Sequence, residues 1–401
     1  MYIQDCTCCS KNERSRIDLK VLQICNYFYP NTGGIEQVAR DIANSLCTAN
    51  VEQKIICFNE NASDGEYTCH REETMHDVID GVEIIRCGCF TKFSSQSLSL
   101  VFARELRNLM ESFKPDVVIF HYPNPFEAHY LLQYLDRDFK FVLYWHLDIV
   151  KQTILRNFFH AQTNILLRRA DRIIATSPLY IQGSRYLSKY VEKCTVIPNC
   201  VSENRMLITE EIRERAKKIR AWNTGKIICF GVGRHIEYKG FRYLVEASRF
   251  LDDRFRIYIA GNGKLMSKLH KLAAADEKIT FLGRVSNEDL LAYYLAMDIF
   301  CFPSITKNEA FGIALAEAMY CGKPAVTFTI PGSGVNYVCV NGETGLEVEN
   351  RNVRMYAEAM RKLADNPHLR SKLGLAAKSR VEKNFLTSQF TENILGLVES
   401  L

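Results

Sequence analysis

Short apolar runs alternate with amphipathic, helical patterns along most of this 401-residue chain. Strands are predicted at Leu19–Cys25, Gln53–Phe58, Val82–Cys87, Pro115–His121, Phe139–His146, Arg172–Thr176 and Cys194–Pro198. Helical segments lie between most of these strands, beginning with Glu36–Leu46, and the polar stretch Asn59–Asp80 is predicted to be an irregular insertion. Strands that alternate with helices favour parallel sheets covered by helices.

The alternation stops once and then resumes. Residues Val201–Thr224 contain no strand pattern and are predicted to form a charged, helical connector. Further strands follow at Ile227–Gly231, Phe255–Ala260, Ile279–Leu282, Asp298–Phe302 and Ala325–Thr329, and helices at Val353–Leu363, His368–Asn384 and Leu386–Leu401. The pattern therefore predicts an α/β protein with two doubly wound parallel sheets in series.

Composition adds three expectations. No apolar run approaches the ~18 residues that span a bilayer, and the first 18 residues lack the apolar core of a secretory signal, so we expect a cytoplasmic protein. The 15 cysteines are spread through apolar strands, which is typical of reduced, buried thiols. Their spacing at Cys6, Cys8 and Cys9, and at Cys87 and Cys89, is not that of a zinc site, and no metal is expected.

The charge distribution leaves one question open. Residues 151–200 carry eight basic and two acidic residues in a largely helical stretch. The segment 151–190 can dock on an anionic membrane, at the inner face of the cytoplasmic membrane, or it can be a solvated helix face. Nucleic-acid binding is not expected, because the basic residues are not interleaved with aromatic residues in a recognisable module.

The stretch from strand Asp298–Phe302 through Glu317 has the pattern of a phosphate site. A polar loop with Glu309 follows the strand, and a helix of small residues then carries Glu317. The first backbone N–H groups of such a helix are unpaired and attract phosphate, and a carboxylate further along it suits sugar hydroxyls. Alternatively, Glu309 caps the helix and Glu317 lies on its exposed side.

A second candidate follows strand Ile227–Gly231. Gly233 allows the backbone to approach a ligand closely, while Arg234 and Lys239 offer a planar fork and a mobile charge to phosphate. The alternative is a surface ion pair.

Histidines end two strands of the first half, where open α/β sheets place their ligands. His146 and His121 are therefore candidate ligand contacts, or else buried core histidines.

These motifs together resemble those of glycosyltransferase family four, the retaining group 1 glycosyltransferases of GT-B fold. The resemblance covers nearly the whole chain and rests on Gly33–Glu36, Val196–Asn199, Gly231–Gly240, Ala260–Gly263, Pro303–Glu317, Cys321–Pro324 and Asn341–Leu346. His121–Pro125 and Tyr144–Asp148 look like the corresponding stretches of bacterial surface-polysaccharide transferases, often mannosyl or rhamnosyl transferases. Ala310 and Cys200 stand where the family usually has glycine, and Ala310 fits if its φ is negative.

The resemblance implies two Rossmann-like domains that face each other across a cleft. The acceptor domain would comprise residues 19–205 after a polar tail, 1–18, and would be joined by the last helix, 386–401. The donor domain would comprise residues 206–385. A nucleotide-sugar donor would be held by Gly33, Gly34, Gly233, Arg234, Lys239, Glu309, Ala310, Phe311, Gly312, Ile313 and Glu317, with His146, Arg234, Lys239 and Glu309 as the catalytic residues.

In this family the first acid contacts the transferred sugar and the second holds the ribose, which here implies Glu309 and Glu317. Arg234 and Lys239 would stabilise the leaving diphosphate, so no cofactor and no metal are expected. We expect transfer to a saccharide or lipid-linked acceptor with retention, in bacterial surface-polysaccharide synthesis. A sugar-nucleotide epimerase of the same fold and a non-catalytic GT-B binding protein remain alternatives.

Overall fold

The computed structural model describes residues 18–31, 33–59, 71–93, 96–148, 153–274 and 276–401. Its strands are β1 Lys20–Ile24, β2 Glu52–Phe58, β3 Thr74–Ile79, β4 Val82–Cys87, β5 Cys89–Phe93, β6 Gln96–Ser99, β7 Val117–Tyr122, β8 Lys140–Trp145, β9 Arg172–Ala175, β10 Cys194–Val196, β11 Ile227–Val232, β12 Phe255–Ala260, β13 Ile279–Gly283, β14 Ile299–Phe302, β15 Ala325–Phe328 and β16 Gly345–Val348.

The α-helices lie between and after these strands. They are α1 Gly34–Thr48, α2 Phe102–Asn108, α3 Pro125–Leu131, α4 Thr153–Arg169, α5 Pro178–Gly183, α6 Glu210–Trp222, α7 Phe241–Ser248, α8 Met266–Ala273, α9 Asn287–Ala296, α10 Ile313–Tyr320, α11 Val335–Val338, α12 Val353–Asp365, α13 Pro367–Asn384 and α14 Thr387–Glu399. The predicted last helix and the helical connector thus correspond to α14 and α6.

Two large sheets organise the described residues, as the alternation predicts, and β5 pairs with β6 in a separate two-stranded sheet. The first has eight strands in the order β10-β9-β8-β7-β1-β2-β4-β3, and the second has six in the order β13-β12-β11-β14-β15-β16. Every pairing in the second sheet is parallel, whereas β3 pairs antiparallel with β4. Strand order reverses between β1 and β7 and between β11 and β14, so ligand crevices are expected at the carboxyl ends of these four strands.

The prediction of an irregular insertion at Asn59–Asp80 was wrong for its last part. Residues Thr74–Ile79 form β3, and they turn back into β4 through Asp80 and Gly81, both with positive φ. An Asp-Gly pair before an apolar run is a hairpin signal. Residues 60–70 lie outside the described part of the chain.

The chain crosses between the two sheets twice at one place. Val201 N–H donates to Phe385 O at 2.7 Å, so the outgoing and returning segments are paired. Beyond this point α14 packs on α1, where Phe390, Ile394 and Leu397 bury apolar surface with Ile42 and Leu46. We call the first sheet with helices α1–α5 and α14 the first domain, and the second sheet with helices α6–α13 the second domain.

Candidate active site

The loops after β11 and β14 meet at the carboxyl edge of the second sheet, because these two strands are neighbours. Gly240 precedes α7 with a φ of 66°, and a Cβ atom there would lie 2.0 Å from Pro303 O. Only glycine permits both this backbone conformation and this approach. The contact brings the two phosphate candidates of the sequence together into one site.

Lys239 and Glu309 form an ion pair at this junction, with Nζ 2.5 Å from Oε2. Ser304 Oγ–H donates to the same carboxylate oxygen at 3.0 Å. Burial opposes the charge on Lys239, but the Glu309 carboxylate and Tyr238 together outweigh burial, so the pKa of Lys239 lies above its ordinary value. The site therefore contains a largely buried lysine that remains charged at neutral pH.

Arg234 reaches the cleft between the domains from the adjacent loop. Its side chain is exposed, and Nη2 lies 3.5 Å from Tyr238 Oη. Burial raises the pKa of Glu36 on α1, and the positive charge of Arg234 offsets part of this rise. Gly233 has a φ of 157°, and its backbone packs directly against that of Gly261. A Cβ atom on Gly261 would lie 2.0 Å from Gly233 O.

The amino end of α10 presents free backbone N–H groups next to Glu309. Those of Phe311, Gly312 and Ile313 have no acceptor within the described residues. Gly312 is the N-cap with a φ of 91°, so Glu309 does not cap this helix. Ala310 has a negative φ, which satisfies the condition for alanine at this position.

Glu317 is buried on α10, which excludes the alternative of an exposed helix face. Tyr294 Oη–H donates to Oε2 at 3.1 Å, and Arg205 Nη2 lies 3.5 Å from Oε1. Burial raises the pKa of Glu317, and Arg205 and Tyr294 offset part of the rise. Sequence reasoning missed Arg205 and Tyr294, since neither belongs to a motif.

The first domain supplies the facing wall. Gly34 begins α1, and a Cβ atom there would lie 4.0 Å from Ile313 Cδ1 on α10, so the two helix starts oppose each other. Gly33 is extended and leaves room for the Glu36 carboxylate, which a Cβ atom would meet at 2.2 Å. The predicted glycine pair therefore borders the start of α10, which follows the Glu309 loop.

His146 lies at the carboxyl end of β8 in a chain of buried polar groups. His121 Nδ1 is 2.9 Å from His146 Nε2, and His121 Nε2 is 3.1 Å from Gln23 Oε1. Burial lowers the pKa of His121 to about 3, and burial with the neighbouring His121 lowers that of His146. Both rings are neutral near pH 7, and sequence reasoning missed Gln23.

Some sequence expectations fall outside the described residues. The tail 1–17, with its cysteines, and residues 149–152 of the basic segment are among them. Within the described residues, no helix combines the length and apolarity needed to cross a bilayer.

Two protein-family models match the chain in order. The model described as Glycosyltransferase Family 4 matches residues 32–205, and the model described as Glycosyl transferases group 1 matches residues 212–380. The boundary between the two matches falls at the start of α6, so the first match lies within the first domain and the second match covers the strands of the second sheet.

Known proteins match the chain over nearly its full length. It is 28% identical to D-rhamnosyltransferase WbpZ of Pseudomonas aeruginosa over 370 residues, 90% of each chain. It is 25% identical to O-antigen chain mannosyltransferase C of Escherichia coli over 391 residues, 96% of this chain and 99% of the relative. The solved structure of Anabaena Alr3699/HepE with UDP and glucose has a TM-score of 0.76 at 17% identity, covering 96% and 100% of the two chains.

Proposed function

The chain belongs to glycosyltransferase family four, the group 1 glycosyltransferases of GT-B fold, and we propose that its donor is a nucleoside-diphosphate hexose such as a mannose, rhamnose or glucose donor. The acceptor is a saccharide or a lipid-linked saccharide. The names of the rhamnosyl and mannosyl transferases above support a role in bacterial surface polysaccharide synthesis: capsule, O-antigen or exopolysaccharide.

The observation that carries the proposal is the Lys239–Glu309 pair beside Arg234, in a crevice whose other wall is Gly34. A diphosphate brings several negative charges to this point, and Lys239, Arg234 and the free N–H groups at the start of α10 are donors for them. The Glu309 carboxylate is then placed to accept hydrogen bonds from sugar hydroxyls. Glu317 accepts those of the ribose.

The reaction proceeds with retention and without a protein nucleophile. The bond between the sugar C1 and the leaving phosphate oxygen breaks while the acceptor oxygen bonds to C1 on the same face. The acceptor proton passes to the leaving phosphate oxygen. Arg234 and Lys239 stabilise the departing charge, an effect typically worth about 3 to 4 kcal/mol for one key donor. Because these cations neutralise the diphosphate, transfer does not require a divalent metal.

A thermal-shift screen tests the donor. GDP-mannose, UDP-glucose, UDP-galactose, UDP-N-acetylglucosamine and dTDP-rhamnose are each added with Mg²⁺ or with EDTA, and one of them is expected to raise the melting temperature equally in both. Glu317→Ala should abolish the shift, whereas Glu358→Ala, at an exposed glutamate of α12, should retain it.

Four results would contradict the proposal. A shift that requires Mg²⁺ would refute metal independence, and unchanged binding in Glu317→Ala would refute its ribose role. Release of an epimerised sugar nucleotide from donor alone would instead identify an epimerase. A covalent sugar adduct on any carboxylate would exclude the direct displacement.

A further inference from the structure

We propose that Lys307 and Asp148 are positioning residues for glycosyl transfer: through this ion pair, the first domain holds the loop that carries Glu309. The inference rests on the proposed function of the same site. Neither residue belongs to the donor-binding or catalytic residues of the proposed function.

The pair joins the two domains directly. Lys307 lies in the loop between β14 and α10, two positions before Glu309, and its Nζ is 2.6 Å from Asp148 Oδ2 and 2.9 Å from Gly183 O. The side chain of Asp148 is 2% exposed and that of Lys307 is 23% exposed. A carboxylate this deeply buried is costly without its cation.

Groups of the first domain orient Asp148 independently of Lys307. Trp145 Nε1–H and Ser184 Oγ–H both donate to Oδ1, at 2.9 and 2.8 Å, and the backbone N–H of Asp148 donates to Tyr180 Oη at 2.7 Å. These three bonds leave Oδ2 for the lysine. The carboxylate therefore forms a rigid anchor for whatever chain segment brings a cation to it.

Two further contacts join the two domains close to Glu309: one is made by the Glu309 loop itself and the other by the loop between β15 and α11. Thr176 Oγ1–H donates to Ala310 O at 2.8 Å, next to Glu309. A Cβ atom on Gly183 would lie 2.3 Å from Gly332 Cα, so these two backbones touch. On the second-domain side, Ser333 Oγ–H donates to Glu309 O at 2.5 Å. The Glu309 loop is thus held from both sides, and Lys307 provides its charged link to the first domain.

A purely structural ion pair would also connect these residues, and kinetics separates the two roles. The donor phosphates lie on the second domain, so loss of the Lys307–Asp148 pair leaves their binding groups in place. Loss of the pair displaces Glu309 relative to the first domain, which is expected to bind the acceptor. Small displacements of a catalytic group reduce turnover rather than ground-state affinity.

The test compares Lys307→Met, Lys307→Arg and Asp148→Asn with Lys372→Met, a control at an exposed lysine of α13. We expect Lys307→Met and Asp148→Asn to lower kcat roughly 10- to 100-fold, with donor KM changed by less than about threefold. Lys307→Arg should recover most of kcat, and the control should match the wild type. Hydrogen–deuterium exchange should be faster at residues 303–312 and 176–184 in Lys307→Met.

The outcomes distinguish this inference from the proposed function. If the wild type neither binds nor turns over any sugar nucleotide, the proposed function fails and takes the inference with it. If the wild type is active but Lys307→Met matches Lys372→Met in kcat and in exchange, the positioning role alone is wrong. If donor affinity falls by as large a factor as kcat in Lys307→Met and Asp148→Asn, the pair has a structural role and the inference is overturned.

Discussion

The backbone of Gly240 rests against the carbonyl of Pro303, and this contact joins the two halves of the candidate donor site. A Cβ atom on Gly240 would lie 2.0 Å from that oxygen, and its φ of 66° is unfavourable for other residues. The loop that carries Lys239 and the loop that carries Glu309 are therefore held together by main-chain packing. Any side chain at position 240 must separate them.

Gly240→Ala is expected to destabilise the protein by more than its backbone conformation alone requires. Gly225 is a matched control, since it has a φ of 75° and nothing within 4 Å of an added Cβ atom. Gly225→Ala should cost about 1 kcal/mol of unfolding free energy, and Gly240→Ala at least about 2 kcal/mol more, because the carbonyl must move. Urea unfolding followed by circular dichroism measures both, and equal losses would contradict the packing argument.

Removing the charge of Lys239 is expected to reduce transfer strongly. Lys239→Met leaves Glu309 without its cation and removes a donor to the leaving diphosphate, so kcat/KM should fall about 10²- to 10³-fold. Lys362→Met, at an exposed lysine of α12, serves as the control. Steady-state assays with the donor that the thermal-shift screen identifies provide the measurement. A loss below about threefold would mean that Lys239 does not act on the diphosphate.

The buried histidine pair is expected to make the protein sensitive to acid. Burial lowers the pKa of His121 from 6.5 to about 3, and burial together with His121 lowers that of His146. Below about pH 6.5 the unfolded chain binds protons at these histidines, whereas the folded protein does not. The free energy of unfolding is therefore unaffected by protonation of these histidines above pH 6.5, and it decreases as the pH falls toward 3.

The free energy of unfolding of the wild type should decrease between about pH 7.5 and about pH 5, and that of His121→Gln should decrease by roughly 2 kcal/mol less. His129→Gln, at an exposed histidine of α3, should leave that loss unchanged. Chemical unfolding at the two pH values measures the difference. If both variants lose as much stability as the wild type, the burial of His121 does not govern its titration.

Glu127 on α3 is expected to have the opposite pH dependence. Its side chain is fully buried, neither carboxylate oxygen has a partner within the described residues, and burial raises its pKa well above 4.5. The folded protein keeps a proton that the unfolded chain releases, so stability falls as the pH rises above 4.5, until the raised pKa is passed.

Glu127→Gln should flatten this decline, which amounts to at most about 1.4 kcal/mol per pH unit. Glu52→Gln, at an exposed glutamate of β2, should show the wild-type slope. Unfolding free energies at several pH values between about 5 and 8 compare the three proteins. An unchanged slope in Glu127→Gln would show that the native carboxyl is ionised through a partner such as a bound water or ligand.

The sequence by itself determined the architecture and the chemical character of the site. Apolar periodicity predicted two parallel sheets, and local strand–loop–helix patterns singled out Glu309, Lys239 and the glycines before α1 and α10. Such features are local, because strand period, helix starts and glycine turns depend on neighbouring residues. The β3 hairpin was missed although Asp80 and Gly81 carried its signal.

Only the tertiary structure decided which groups meet. Lys239 pairs with Glu309 because β11 and β14 are neighbours, which strand order sets and periodicity does not reveal. Arg205 reaches Glu317 from the connector, and Asp148 reaches Lys307 across the cleft. Interactions between side chains far apart in sequence depend on the packing of whole domains. Local pattern can therefore identify the acids and bases of this protein, and the assembled domains determine their partners.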